Sequence, residues 1–225
     1  MTPDHARPDA AWTIIIPVKD TRVAKTRLTR FSQPARAALA LAFALDSATA
    51  ARDCPAVRQV VAVTNDEEAG RALETVGVRV IADVPDAGLN PALSHGVATV
   101  RRGDPGASVA AMSADLPALR PADLDTAFEA ADGAAFWFVA DADGLGTTLL
   151  AAGPRTELSP AFGFMSRDRH GRLGAFEILG LELAHLRRDV DTEDHLREAL
   201  RLGVGRHTST ALADLEAALG PPEVA

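Results

Sequence analysis

Between Lys19 and Arg27 the chain places four cations in nine residues, Lys19-Asp-Thr-Arg22-Val-Ala-Lys25-Thr-Arg27. A polyphosphate laid along this segment would meet charge-assisted donors; the competing reading is a solvated, charged loop. Of the 23 Lys and Arg residues only two are lysines, and both lie here. A compact ammonium and a planar guanidinium are not interchangeable at a phosphate site. Carboxylates recur further on, at Asp115 in Ser113-Ala-Asp115-Leu-Pro117 and at Asp189-Val-Asp191. A hard divalent cation needs several oxygen ligands, and Asp-x-Asp in an extended segment turns both carboxylates to one side. Asp115, Asp189 and Asp191 are therefore candidate metal ligands. Against this, Asp115 could cap the helix opening at Pro121, and Asp191 or Thr192 the helix that follows it.

Three further segments could hold an anion or a base. In Asp143-Gly-Leu-Gly146-Thr147-Thr148, glycines beside two hydroxyls allow an anionic ligand close to backbone N–H groups, although a plain hairpin looks the same. In Phe162-Gly163-Phe-Met-Ser166, Ser166 could cap a helix facing a phosphate; His170, soon after, reads as a ligand or as a packing residue. Leu89-Asn90, at a helix start, could cap that helix or meet a nucleobase edge. No P-loop, G-x-G-x-x-G, nucleophile elbow or H-E-x-x-H motif is present, which leaves a hydrolase reading without support.

These residues must be positioned by alternating strands and helices. Thr13–Val18 is a continuous β-branched apolar run, the pattern of a buried parallel strand. Ser32 and Pro34 open a helix to about Ala51. Strands follow at 58–63, 78–81, 107–112 and 134–139, and helices at 66–76 (stopped by Gly77), 91–101 and 121–133. The last third adds strands at 146–151 and 179–184, a Gly/Pro-rich loop at 153–164 and a helix at 192–202. Alternation of this kind predicts a mostly parallel sheet flanked by helices with right-handed crossovers, a single-domain Rossmann-like α/β fold. Ligands in such sheets sit beyond the carboxyl ends of strands, which selects the loops after Val18, Met112 and Ala140. The expected organisation is a tail at 1–11, one domain at 12–210 and a C-terminal helix or tail at 211–225.

Composition narrows the class. With 225 residues, 47% hydrophobic and 24% charged, the chain suits one folded domain. A net charge of −8 argues against nucleic-acid binding, but an anionic small substrate needs only local cations. One cysteine rules out an internal disulfide and a cysteine-based zinc site. No apolar run approaches a membrane span and no signal segment is visible, so a cytoplasmic location is expected.

In order, the chain carries K-x5-K-x-R-L, G-L-N-x-A-L, A-D-L-P, G-x-G-T-T-L, F-G-x-x-S and L-R-R-D-V-D-T. From about Trp12 to about Thr208 it resembles the phosphoenolpyruvate/2-phospho-L-lactate guanylyltransferases of deazaflavin coenzyme F-420 biosynthesis, a nucleotidyltransferase-like family. The resemblance implies transfer of GMP from GTP to the phosphate of a three-carbon acid, with release of pyrophosphate. It implies Mg2+ held by Asp115, Asp189 and Asp191, acceptor contacts at Thr148, Gly163 and Ser166 with Thr147 beside them, and Lys19, Lys25 and Arg27 facing the triphosphate. Leu89 and Asn90 match the segment that meets guanine. Ser113-Ala114 precedes Asp115 where the family pattern has a glycine-containing pair. Rival expectations are a nucleotidyltransferase for molybdopterin or a sugar phosphate, and a catalytically silent nucleotide sensor. A labile product would suit hand-over to the next enzyme.

Overall fold

The structure, a computed structural model, describes residues 11–21, 25–131 and 133–219. Arg22, most of the expected N-terminal tail and the end of the C-terminal stretch lie outside the described residues. The strands are β1 (Trp12–Pro17), β2 (Val57–Val63), β3 (Arg79–Ile81), β4 (Ser108–Met112), β5 (Phe136–Ala140), β6 (Thr147–Ala152) and β7 (Phe176–Glu177). The helices are α1 (Gln33–Asp53), α2 (Glu67–Thr75), α3 (Leu89–Gly103), α4 (Pro121–Ala130), α5 (Ser166–Arg172), α6 (Ala184–Arg187), α7 (Glu193–Leu202) and α8 (Arg206–Leu219). One sheet runs β3-β2-β1-β4-β6-β5-β7. It is parallel except at β6, which lies antiparallel to both neighbours. Because β6 runs the opposite way, its first residues reach the same edge as the last residues of β1 and β4.

Both faces of the sheet are covered, which is why β1 reads as unbroken apolar sequence. Ile14 and Ile16 pack with Ala44, Ala48, Leu73 and Leu124 from α1, α2 and α4. Ile15, on the opposite face, packs with Leu93 and Val97 of α3. A β-carbon at Gly96 would stand 2.6 Å from Ile15 Cγ2 and 2.9 Å from Val63 Cγ2, so α3 seats this closely only with glycine there. A third cluster joins Leu28, Leu39 and Phe43 to Leu196 and Ala199, with Ala211, Leu212 and Leu215 of α8 against it. Helix α8 thus runs through position 210 and packs on α1.

Two expectations for the last third are corrected. The run 179–184 is not a strand: Gly180 has φ +72°, Leu183 donates to the Leu181 carbonyl at 3.0 Å, and the segment turns into α6. Its apolar residues are used for burial, Leu183 being 1% exposed, without a ladder. The edge strand is Phe176–Glu177 instead. Ser166 is also not a cap. The position before α5 is Met165 at φ 57°, and Ser166 is the helix's first, buried residue.

Candidate active site

The order β1-β4 marks a switch point, since the chain leaves β1 toward β2 on one side and β4 lies on the other. A cavity of about 220 Å³ opens there, lined by Lys19, Lys25, Leu89, Met112, Asp115 and Phe162 among others. Leu93 and Phe162 supply apolar lining, and Lys19 and Lys25 line the same cavity. Lys19 is held by Asp83, with Asp86 3.8 Å away. Thr21 donates to Asp66 through both its amide and its hydroxyl. Asp66 also caps α2, so the loop is drawn toward that helix.

Lys25 is the centre of the charged cluster. Its backbone has φ 54°, a left-handed conformation that carries strain in a non-glycine residue. Its ammonium bonds Asp115 and reaches Asp191 at 3.1 Å, with the side chain only 11% exposed. Burial works against its charge, but Asp115 and then Asp191 outweigh it and hold its pKa above the usual lysine value. Burial likewise opposes ionisation of Asp191, yet Lys25, Arg27 and His195 hold its carboxyl below the usual range. Asp189 goes the other way. Burial first, then Asp115, Asp191 and Asp141, push it up to about 8, against the pull of Lys25. Arg27 itself is exposed.

Backbone bonds stitch these pieces together. Ser47 of α1 donates to the Ala114 carbonyl and accepts from the Leu116 amide, fixing the turn that carries Asp115. The Val190 amide donates to the Asp115 carbonyl at 3.0 Å, which sets Asp189 and Asp191 beside it. Thr192 caps α7 through its hydroxyl, leaving Asp191 to the cluster. Asp115 likewise caps nothing: Arg120 precedes α4, without a side-chain cap bond. Among the described residues, no group of three or more His, Cys, Asp or Glu is gathered as a metal cage. The carboxylates close around an ammonium. The donors are nonetheless all hard oxygens, and the crowding that raises Asp189 would be relieved by an added cation, so the residues fit a hard divalent ion.

The acceptor candidates lie next door. The Ser113 amide donates to the Thr148 carbonyl at 2.9 Å. Thr147 and Thr148 are both buried, and the Thr148 hydroxyl has no partner among the described residues. Gly163 has φ +110° and opens the turn into α5. Asn90 does not cap α3, whose cap is Gly88. Its amide pairs with both ends of Phe162, donating to the carbonyl at 3.1 Å and accepting from the amide at 2.8 Å. It thereby bolts the 153–165 loop to the start of α3, beside Leu89.

The chain matches the model for CofC-like guanylyl transferases over residues 12–224. It belongs to the CofC-like guanylyltransferase family. A phosphoenolpyruvate guanylyltransferase of Thermomonospora curvata is 51% identical over 209 residues, spanning 93% of this chain and 92% of that protein. Two solved structures share the fold at low identity. A nucleotidyl transferase from Methanothermobacter has a TM-score of 0.57 at 21% identity, over 85% of this chain and 97% of that one. A Mycobacterium tuberculosis H37Rv protein in complex with manganese has a TM-score of 0.50 at 20% identity, over 85% and 98%.

The site also contains residues outside the sequence motifs. Asp83 restrains Lys19 and is itself fixed by Asn65, which accepts from its amide and donates to its carbonyl. Asp141 crowds Asp189 and accepts from the Leu145 and Gly146 amides at 2.9 and 2.7 Å. A β-carbon at Gly146 would collide with the Asp141 carboxylate. The spacing Asp141 to Gly146 was the available sequence signal, an acidic turn closing on a glycine. Among the described residues no helix is long and apolar enough to cross a membrane.

Proposed function

We propose that this guanylyltransferase moves GMP from GTP onto the phosphate of phosphoenolpyruvate, or of 2-phospho-L-lactate, in deazaflavin coenzyme F-420 biosynthesis. An acceptor phosphate oxygen attacks the α-phosphorus, the bond to the α–β bridging oxygen breaks, and pyrophosphate leaves. No protein nucleophile is needed; two anions must be brought together and their repulsion offset. The observation that carries this reading is the joining of the charged cluster, itself tied by Val190 to Asp115, to the strand of the buried hydroxyls through the bond from the Ser113 amide to the Thr148 carbonyl. Lys19, Lys25 and Arg27 steady the triphosphate and the leaving pyrophosphate. Leu89 and the apolar wall with Phe162 face the guanine, with Asn90 setting the wall's position. Thr147, Thr148, Gly163 and Ser166 receive the three-carbon acid. Asp115, Asp189 and Asp191 would hold magnesium, which when bound neutralises charge on the reacting phosphates. Lys25, freed of its carboxylate partners, would be available to the nucleotide.

The identity to a phosphoenolpyruvate guanylyltransferase supports the acceptor class, and the manganese complex of a structural relative supports a divalent ion. We place the reaction in the cytoplasm and expect the labile product to pass directly to the next enzyme. Incubation with GTP, magnesium and each acid separately, followed by pyrophosphate release and product mass, tests the reaction. Pyrophosphate with one acid and a GDP-linked product supports it. GTP binding without release with either acid would point to a bulkier acceptor or a sensor.

A further inference from the structure

His170 lies outside the charged cluster, yet it contacts both Thr147 at the start of β6 and Ala161 in the loop that leads to Gly163 and Ser166. It is 0% exposed, with its ring centroid 5.1 Å from that of Phe162 and 5.9 Å from that of Phe138. The Ala161 amide points at Nε2 at 3.0 Å, and Thr147 Oγ1 lies 2.9 Å from Nδ1. A backbone amide only donates, so Nε2 must carry a lone pair and the ring proton must sit on Nδ1. Nδ1 then donates to the Thr147 oxygen. That hydroxyl has no other partner among the described residues, so its own proton is free to be given away. Phosphates and carboxylates only accept.

Strand geometry shows that the contact is built. Val139 pairs with Leu149 but Ala140 pairs with Thr147, so Thr148 is an extra residue in β6. Leu149 and Ala151 pack in one core cluster, Leu150 and Ala152 in the other. Unbroken alternation would turn Thr147 with Leu149. The bulge instead sends it to the ring packed on Phe138 and Phe162, which belong with Leu150. Bulges beside active sites re-aim side chains in this way.

We propose that His170 is a positioning residue for the acceptor, making the Thr147 hydroxyl an obligatory donor to the anion and holding the Ala161–Ser166 turn against it. This rests on the acceptor reading above. Burial lowers the ring's pKa to about 4, so it stays neutral and the two roles persist at physiological pH. Gln at this position offers an acceptor toward Ala161, and Asn a donor toward Thr147. His170→Gln should therefore raise the KM for phosphoenolpyruvate about tenfold while the KM for GTP stays within about twofold, and His170→Asn should raise the former less. Thr147→Val should add little in the His170→Gln background, because the two share one function. Equal rises in both KM values, or additive effects, would overturn the assignment. The second measurement is the ring tautomer of the unaltered protein by long-range 1H–15N NMR at neutral pH. A proton on Nδ1 supports the proposal; a proton on Nε2 overturns it, including if the variants fail to fold. If neither acid is turned over, the acceptor reading has failed while the tautomer still decides the role of His170.

Discussion

The two edges that meet at this site solve opposite problems. At the β1–β4 edge the groups are charged and satisfy one another: Lys19 with Asp83, Lys25 with Asp115 and Asp191. At the β6 edge they are neutral and buried, and one hydroxyl has no partner among the described residues. Ion pairs of the first kind are exchangeable, because a nucleotide and a cation can replace each partner with one of like sign. Hydroxyls of the second kind are fixed before the ligand arrives, at a cost to the fold. The charged edge should thus respond to cations, and the neutral edge to shape and donor sense.

The largest effect should come from Asp189. Asp189→Asn should lower turnover by about 10²–10³-fold, as removal of a charge-stabilising group does, while the fold survives. The sign for stability is the reverse of the usual aspartate. Its carboxyl is raised in the folded state, so ionisation there is disfavoured, and stability is lost as pH rises from its unfolded value toward about 8. In metal-free buffer the variant should therefore gain in Tm over the unaltered enzyme across that window. Wild-type turnover in Asp189→Asn would remove the residue from the mechanism and break the contrast between the edges.

Lys25→Met leaves Asp115 and Asp191 facing each other without their ammonium. Breaking a largely buried pair by removing one partner costs about 3–5 kcal/mol, here reduced because Asp191 is half exposed. Calorimetry in chelator and in magnesium separates the two roles. The Tm deficit should shrink when magnesium is added, because a cation replaces the missing charge. A deficit indifferent to magnesium would mean that the carboxylates do not receive the ion.

At the neutral edge His170 gives a pH signature of the other sign. Its folded pKa lies near 4, below the unfolded value of 6.5. Between those values the unfolded chain binds the proton more readily, so stability falls as pH drops from 6.5 toward 4, by about 3 kcal/mol in all. His170→Asn should flatten that limb of the Tm–pH curve. An unchanged limb would assign acid sensitivity to the charged edge alone.

How much of this was legible in the chain depends on which physical signal each part leaves. The apolar run at 13–18 and the caps at Ser32 and Asp66 are local, and strand β1 with helices α1 and α2 lie within about two residues of expectation. The run at 179–184 was apolar for burial rather than pairing, and composition alone does not separate those uses. The reversed direction of β6 follows from the tight Asp141–Gly146 turn, which brings no helix between β5 and β6. The gathering of Asp115, Asp189 and Asp191 around Lys25 agrees with residue type, but Asp83, Asp141 and His170 act through partners distant in sequence. Asn90 shows the same limit: the amide suited to a base edge is spent on the Phe162 backbone.

The smallest effect is also the sharpest probe of the contrast. Among the described residues two buried threonine hydroxyls in the sheet lack partners, Thr148 at the site edge and Thr13 near the opposite end of β1. An unpaired buried hydroxyl costs about 1–3 kcal/mol, and valine fills the same space without one. Thr13→Val and Thr148→Val should therefore both raise Tm, by about 2–4 °C per kcal/mol in a chain of this size. Only Thr148→Val should also raise the acceptor KM, by about tenfold, the loss of one hydrogen bond to an anion. If both variants gain Tm and neither changes KM, Thr148 is a packing flaw like Thr13, and the acceptor's donors are confined to Thr147 and the Gly163–Ser166 turn. If Thr148→Val alone raises KM, the instability at that position is the consequence of holding a buried donor ready, whereas the charged edge keeps its groups paired until the nucleotide displaces them.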